Sequence, residues 1–369
     1  MKKLLVILIV LGLAAPAMAQ TQWGFYGSLR THLGWYDSSE AFVPTGPAMD
    51  GTIGAGDQGT VLSMSAQSRL GFRAKVSDAV SGVVEFGFTE TTRAGESQSP
   101  YTRLAFGQWN FGAGSLIIGK HYTPATFLGY SNMIGDIGDS GDANLLVGGL
   151  PYIGRQPQIR LTVAGFELAL IEQAHQQQAL HVGADIDRKV PRIEAAYVFR
   201  TPMIAIRPIA GYQTYKVDDE TIDSYLGGLG ISLTLGPAYI KVTGSYLQNA
   251  GNYGNTSLIA PAARNYVALT GDDAETIQGT FVAGFNVSPT FFIEAGIGYA
   301  ENKVDIAPGI EQKQNGAVYY IQAPIVLAKG FTIIPEVGQI DRGDVEITGQ
   351  PDIAQGRMTY AVANLRIDF

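Results

Sequence analysis

The chain has no cysteine and only four histidines, His32, His121, His175 and His181, in 369 residues. Without cysteine there is no disulfide framework, no thiol nucleophile and no cysteine-ligated zinc or iron–sulfur centre. His175 and His181 lack the i, i+4 spacing of a helical metal pair. Charge is sparse too, at 16% of residues, against roughly 25% in an ordinary soluble domain. Coiled-coil runs of Ala, Glu, Lys and Leu are missing, and the 18 Tyr and 16 Phe are too many aromatics for a disordered chain. Beyond the first nineteen residues there is no uncharged apolar stretch of eighteen, so no membrane helix is available.

Glycine, by contrast, is abundant: 46 residues, well above its usual share of roughly 7%. The chain begins with Lys2 and Lys3, an apolar run from Leu4 to Leu13, and Ala17-Met18-Ala19. A positive start, a short apolar core and a small-x-small site read as a secretory signal peptide over residues 1–19, removed before Gln20. The core is too short to span a bilayer. Removal takes away two lysines and no acid, so the net charge moves from −8 to −10. Such a balance argues against a nucleic-acid partner. An exported chain of this size is periplasmic, released, or an outer-membrane barrel.

Periodicity separates these cases. From Trp23 the large apolar residues Trp23, Phe25, Leu29, Leu33 and Trp35 fall on odd positions, and Ser28, Arg30 and His32 on even ones. Leu70, Phe72, Ala74 and Val76 alternate with Arg69, Arg73 and Lys75. Val84, Phe86 and Phe88 do so with Glu85 and Thr89, and Ala361, Ala363, Leu365, Ile367 and Phe369 with Asn364, Arg366 and Asp368. Strands of about ten residues with one apolar and one wet face are the signature of a transmembrane barrel. A soluble β-sandwich also alternates, but its strands are shorter.

If both ends lie on the periplasmic side the strand count is even. Seventeen extended segments are visible; treating 174–190 as one outer loop leaves sixteen. They fall near 23–36, 66–77, 82–93, 101–111, 115–122, 156–163, 166–173, 191–200, 203–216, 223–234, 237–248, 276–287, 291–302, 314–327, 331–341 and 357–369. Seven short turns, such as Gly112-Ala113-Gly114 and Ser288-Pro289-Thr290, then lie at one end and eight longer loops at the other, the asymmetry such barrels show. Pro208, Pro324 and Pro335 sit inside these segments, where each removes a ladder hydrogen bond, so bulges or displaced strand ends are expected there.

The expected fold is thus all-β: a sixteen-stranded antiparallel transmembrane β-barrel over residues 20–369. Sixteen strands leave an aqueous lumen, where eight would fill it with side chains, so something must narrow it. The longest loop, 123–155, mixes apolar anchors with Asp136, Asp139 and Asp142. That composition suits a loop folded against the wall while presenting carboxylates to water.

The order of several short motifs resembles the general-diffusion porins of Gram-negative bacteria. They are Tyr26-Gly27, Ser68-Arg69-Leu70-Gly71-Phe72, Thr102-Arg103-Leu104-Ala105-Phe106, Gly119-Lys120, Leu128-Gly129-Tyr130-Ser131-Asn132-Met133, Ile153-Gly154-Arg155 and the terminal Phe369. The detailed likeness covers residues 23–160. It implies a homotrimer embedded in outer-membrane lipid and lipopolysaccharide, with an inward third loop and wall arginines facing acids on that loop. By position Arg69, Arg103 and Arg155 match the arginines, Lys120 a basic wall residue and Asp136 a loop acid. Asn132 stands where the family often has a second acid, which shifts that role toward Asp139 and Asp142. Arg30 and Arg73 are secondary wall charges, and Phe369 matches the terminal residue read by the barrel-assembly machinery. The implied activity is passive diffusion of small hydrophilic solutes and ions, with no cofactor. Two alternatives are a substrate-selective porin for a sugar or an anion, and a barrel hydrolase.

Enzyme motifs fail on context. Gly54-Ala55-Gly56-Asp57-Gln58-Gly59 has the dinucleotide-binding spacing but neither a buried strand before it nor a helix after it. Asp136, Asp139 and Asp142 recur every third residue, whereas a calcium-binding helix–loop–helix needs every second and a closing Glu. No Gly-x-Ser-x-Gly elbow is present.

Overall fold

A computed structural model describes residues 21–42, 53–65, 67–88, 100–134, 145, 148–173, 185–255 and 273–369. The segment 1–19, expected as a signal peptide, lies outside them, as do Asp136, Asp139 and Asp142 and the histidines His175 and His181.

Sixteen staves follow one another in chain order. The first six are β1 (Gln22–Ser38), β2 (Gln58–Met64 and Arg69–Lys75), β3 (Val80–Phe88), β4 (Pro100–Asn110), β5 (Gly114–Tyr122) and β6 (Arg155–Val163). Then come β7 (Phe166–Ile171), β8 (Arg192–Tyr197 and Phe199–Arg200), β9 (Ile204–Val217), β10 (Glu220–Leu235) and β11 (Ala238–Gln248). A single helical turn, α1 (Ala250–Tyr253), precedes β12 (Glu275–Ser288) and β13 (Phe291–Ala307). The last are β14 (Ile310–Gln322 and Ile325–Ala328), β15 (Phe331–Asp341, extended by Asp344–Ile347) and β16 (Arg357–Asp368). Neighbours pair antiparallel, and β16 returns to β1 in continuous register from Ser28↔Asp368 to Ser38↔Met358. Closure leaves no open edge, which hydrocarbon would not tolerate.

The two faces sort as the alternation requires. Leu29, Leu33 and Trp35 on β1 and Ile293, Ile297 and Tyr299 on β13 are exposed, while Ser28, His32 and Glu294 are buried. A barrel has polar groups under cover and aliphatics outside because its outer solvent is lipid.

Three details differ from the expected strands. β2 is broken at 65–68 and begins at Gln58; in the gap Ser65 N donates to Arg30 O and Arg30 N to Ser68 Oγ, so the ladder is replaced locally. Ile186–Asp187, within the stretch treated as loop, pairs with Lys216 and Val217 and prolongs β8 beside β9. Only Pro324 interrupts its own stave. Pro335 and Pro208 stay in register opposite Ala363 and Leu229. Each lies beside a break in the neighbouring stave, at Ala323-Pro324 and at Tyr197–Phe199, where the missing N–H has no ladder partner to disappoint.

The buried apolar residues are largely loop on wall. Phe127, Tyr130, Met133, Leu145 and Leu150 pack with Val282, Ala300, Val318 and Tyr320, all on the polar side of the staves.

Candidate functional site: the inner wall and the loop seated on it

Arg103 would face lipid if β4 alternated without interruption, since Trp109, Gly107 and Ala105 lead to it in steps of two and Trp109 is 52% exposed. A bulge prevents this. Glu85 pairs with Leu104 but Phe86 with Thr102, so Arg103 is the extra residue and turns inward. There its Nε donates to Glu85 Oε1 at 2.8 Å, Nη2 to Tyr122 Oη at 3.2 Å and Nη1 to Tyr101 Oη at 3.4 Å. Its guanidinium is 1% exposed.

Around this pair stand other sequence-named residues. Arg69 Nε lies 3.8 Å from Glu85 Oε2 and the side chain is 28% exposed. Tyr26 Oη donates to the same carboxylate at 2.9 Å, and Arg73 lies 4.3 Å over the Tyr26 ring. Arg155 Nη1 donates to Tyr122 Oη at 3.1 Å, so Tyr122 joins Arg155 to Arg103. Arg30 bonds Ser28 Oγ and Gln67 Oε1, with Arg69, Arg103 and Arg366 as its positive neighbours. Lys120 is half-exposed opposite Ala105 and Pro157, on the ladder parity of the exposed Ile118 and Ile159 and one residue past Gly119 with its φ of 126°. No carboxylate among the described residues pairs with it. Arg30, Arg69, Arg73, Arg103 and Arg155 therefore form one basic quarter of wall over β1, β2, β4 and β6, with Glu85 as its central acid.

The rest of the wall, on β8, β13 and β15, carries three glutamates that motif reading missed. Ala125 N donates to Glu194 Oε2 at 2.8 Å and Ile134 N to Glu336 Oε2 at 2.9 Å. Asn132 N and Nδ2 both donate to Glu294, at 2.8 and 2.7 Å. Tyr239 and Tyr320 also donate to Glu294, at 2.6 and 2.7 Å, and Tyr360 to Glu336 at 3.0 Å. All three carboxylates are buried and hold the backbone N–H groups of Ala125, Asn132 and Ile134; charge-assisted bonds of this kind are the strong ones. Asn132 thus serves as a clamp point. A lone Glu on the wet parity of an apolar strand, as in Phe292-Ile293-Glu294-Ala295, is the signal that marks them.

The return of the loop seats on glycine. A Cβ on Gly298 would collide with the carbonyl of Gly148, and Gly149 has φ 119°, a conformation glycine adopts at no steric cost. Tyr130, packed on the wall, has its phenol pushed above the ordinary value by burial. A second inward segment meets the first: Tyr253 of α1 donates through Oη to Glu194 Oε1 at 3.1 Å and accepts at its carbonyl from Arg192 Nη1 at 3.0 Å. Tyr152 N donates to Asn255 Oδ1 at 2.9 Å. Nothing in the sequence motifs marked this segment.

No protein-family model and no curated protein matches the sequence. Solved structures do match in fold. The outer-membrane channel DcaP of Acinetobacter baumannii superposes with TM-score 0.65 at 14% identity, covering 95% of this chain and 98% of that one. An anion-selective porin from Comamonas acidovorans gives 0.59 at 14%, over 95% and 100%. Salmonella typhi OmpF, in complex with daunomycin, gives 0.58 at 13%, over 94% and 97%. The fold is that of the outer-membrane porins.

Proposed function

We propose that this chain is an outer-membrane porin: a water-filled channel for passive diffusion of small hydrophilic solutes and ions, exported by residues 1–19 and working as a homotrimer. The observation that carries the reading is the inside-out wall. Sixteen closed staves put aliphatics outside and the Arg69–Glu85–Arg103 cluster inside, and a barrel of that size encloses more room than its own side chains fill. An outer-membrane protein of similar fold, OmpT of Vibrio cholerae, has been solved in a trimer form, which supports the assembly.

Transport by such a wall needs no cofactor and no bond chemistry. Water replaces lipid along the axis, the seated loop sets the size limit, and wall charges bias entry. Arginines on one side, opposed by Asp136 and Asp139 on the loop, make a transverse field that orients dipolar solutes. The basic wall, where Arg69 and Arg103 share Glu85, supports weak selectivity set by these local charges in concentrated salt, when acids beyond roughly 8 Å are screened. Planar-bilayer recording of purified protein in a salt gradient tests the reading. Stepwise ohmic conductance is expected, and protein that inserts but carries no ion current defeats it.

A further inference from the structure

A second basic site lies away from the Arg69–Glu85–Arg103 cluster. At the short-turn end, between the loop segment 128–130 and the turn joining β8 to β9, is a cavity of about 460 Å³, within the range of small-ligand pockets. Arg200, Lys241, Leu128, Tyr130, Met203 and Ile204 line it. Register places the charges inside: Arg200 pairs with Ala205, Ala205 with Ser232 and Ser232 with Lys241, all one face of the wall.

The cavity has two unlike halves. On one side, Lys241 Nζ donates to Gly129 O at 2.7 Å, and no carboxylate among the described residues forms an ion pair with Lys241 or Arg200. Glu294, the acid whose field reaches Lys241, is already engaged by Asn132, Tyr239, Tyr320 and Gln322. Glu167, the nearest acid on this wall in the ladder, is held by Arg160 and Arg207. Two cations thus face water without a carboxylate partner. On the other side, Leu128 and Met203 are 46% and 62% exposed, apolar surface that a wet channel wall has no reason to display unless something covers it.

We propose that this cavity is an exit-side docking site for organic anions with a compact apolar body, the carboxylate meeting Arg200 and Lys241 and the body lying on Leu128 and Met203. A guanidinium fork matches a carboxylate in plane, and an ammonium adds a point charge beside it. The inference rests on the channel reading for its access route, since the site opens on the lumen.

Benzoate, benzamide and acetate separate its parts. Calorimetric titration of the detergent-solubilised barrel should show benzoate binding, with benzamide and acetate each much weaker. Replacing both cations (Arg200→Gln with Lys241→Gln) should weaken benzoate about tenfold or more, the loss expected for charge-assisted bonds, whereas Arg69→Gln should leave it unchanged. Equal benzoate affinity in wild type and double variant overturns the proposal, as does benzamide binding as tightly as benzoate. If the double variant yields no folded barrel, Met203→Glu carries the test: it adds a carboxylate beside both cations and should weaken benzoate, and unchanged binding overturns the site. The same preparations in a bilayer keep the two readings apart. Absence of ionic current defeats the channel, while the titration alone decides the site.

Discussion

Glu294 holds Asn132 twice, accepting from its backbone N–H at 2.8 Å and its side-chain amide at 2.7 Å. That carboxylate also takes the hydroxyls of Tyr239 and Tyr320, so one wall residue ties a loop to three staves. Glu294→Ala leaves those donors buried without an acceptor. A loss of about 1–3 kcal/mol for each buried donor left unsatisfied is expected, read as a lower unfolding temperature of the heat-modifiable barrel, together with noisier single-channel current. Quiet current with unchanged stability would mean that the clamp does not hold the loop.

Arg69 and Arg103 share Glu85 yet differ in exposure, 28% against 1%. Arg69→Ala should shift the reversal potential toward cations in a tenfold salt gradient with little change in stability. Arg103→Ala should shift it in the same direction and also destabilise the barrel, because it leaves Glu85 buried with a longer, weaker partner. Absence of a shift in both variants means that this cluster does not line the narrowest water.

Asp136 is expected to oppose these arginines. Asp136→Asn should move the reversal potential toward anions, and deleting about ten residues around it should raise conductance and admit larger sugars. An unchanged sieving limit would transfer the constriction to another segment, with α1 the first to test.

Tyr253→Ala tests α1 directly. Losing a buried aromatic costs about 3–5 kcal/mol in soluble cores, and here it also frees the segment from Glu194. Burial beside Glu194 raises the phenol well above its ordinary value of 10.0. The folded group therefore keeps its proton where the unfolded one loses it, so its contribution is complete below pH 10 and declines as pH rises past it. Tyr253→Phe should flatten that alkaline decline in thermal unfolding. Identical alkaline profiles in the two proteins would refute the assignment.

Phe369 closes the barrel seam. Gly27 N donates to its carbonyl at 2.8 Å and its own N donates to Gly27 O at 3.1 Å, with the ring against the Gly27 Cα. Deleting Phe369 should lower the amount of barrel in the outer membrane without blocking export. Gly27→Val should act similarly, because a branched side chain there collides with the ring. Undiminished heat-modifiable barrel in either case would count against the seam as an assembly determinant.

The sixteen staves were legible in the sequence because lipid outside and water inside impose a period of two on every one of them, and that signal is local. Leu29, Leu33 and Trp35 name the outer face without reference to any other strand. The turns were legible as well, since Gly236-Pro237 and Ser288-Pro289 stop a ladder by their own backbone chemistry. Which charges meet was decided only by register and bulge. Arg103 has lipid-facing parity until one extra residue turns it onto Glu85, eighteen positions away. The clamps at Glu194, Glu294 and Glu336 join groups 69, 162 and 202 residues apart, and no local pattern encodes a partner at that distance. Composition and alternation thus fix the wall, while the filling of its lumen depends on contacts that exist only once the barrel has closed.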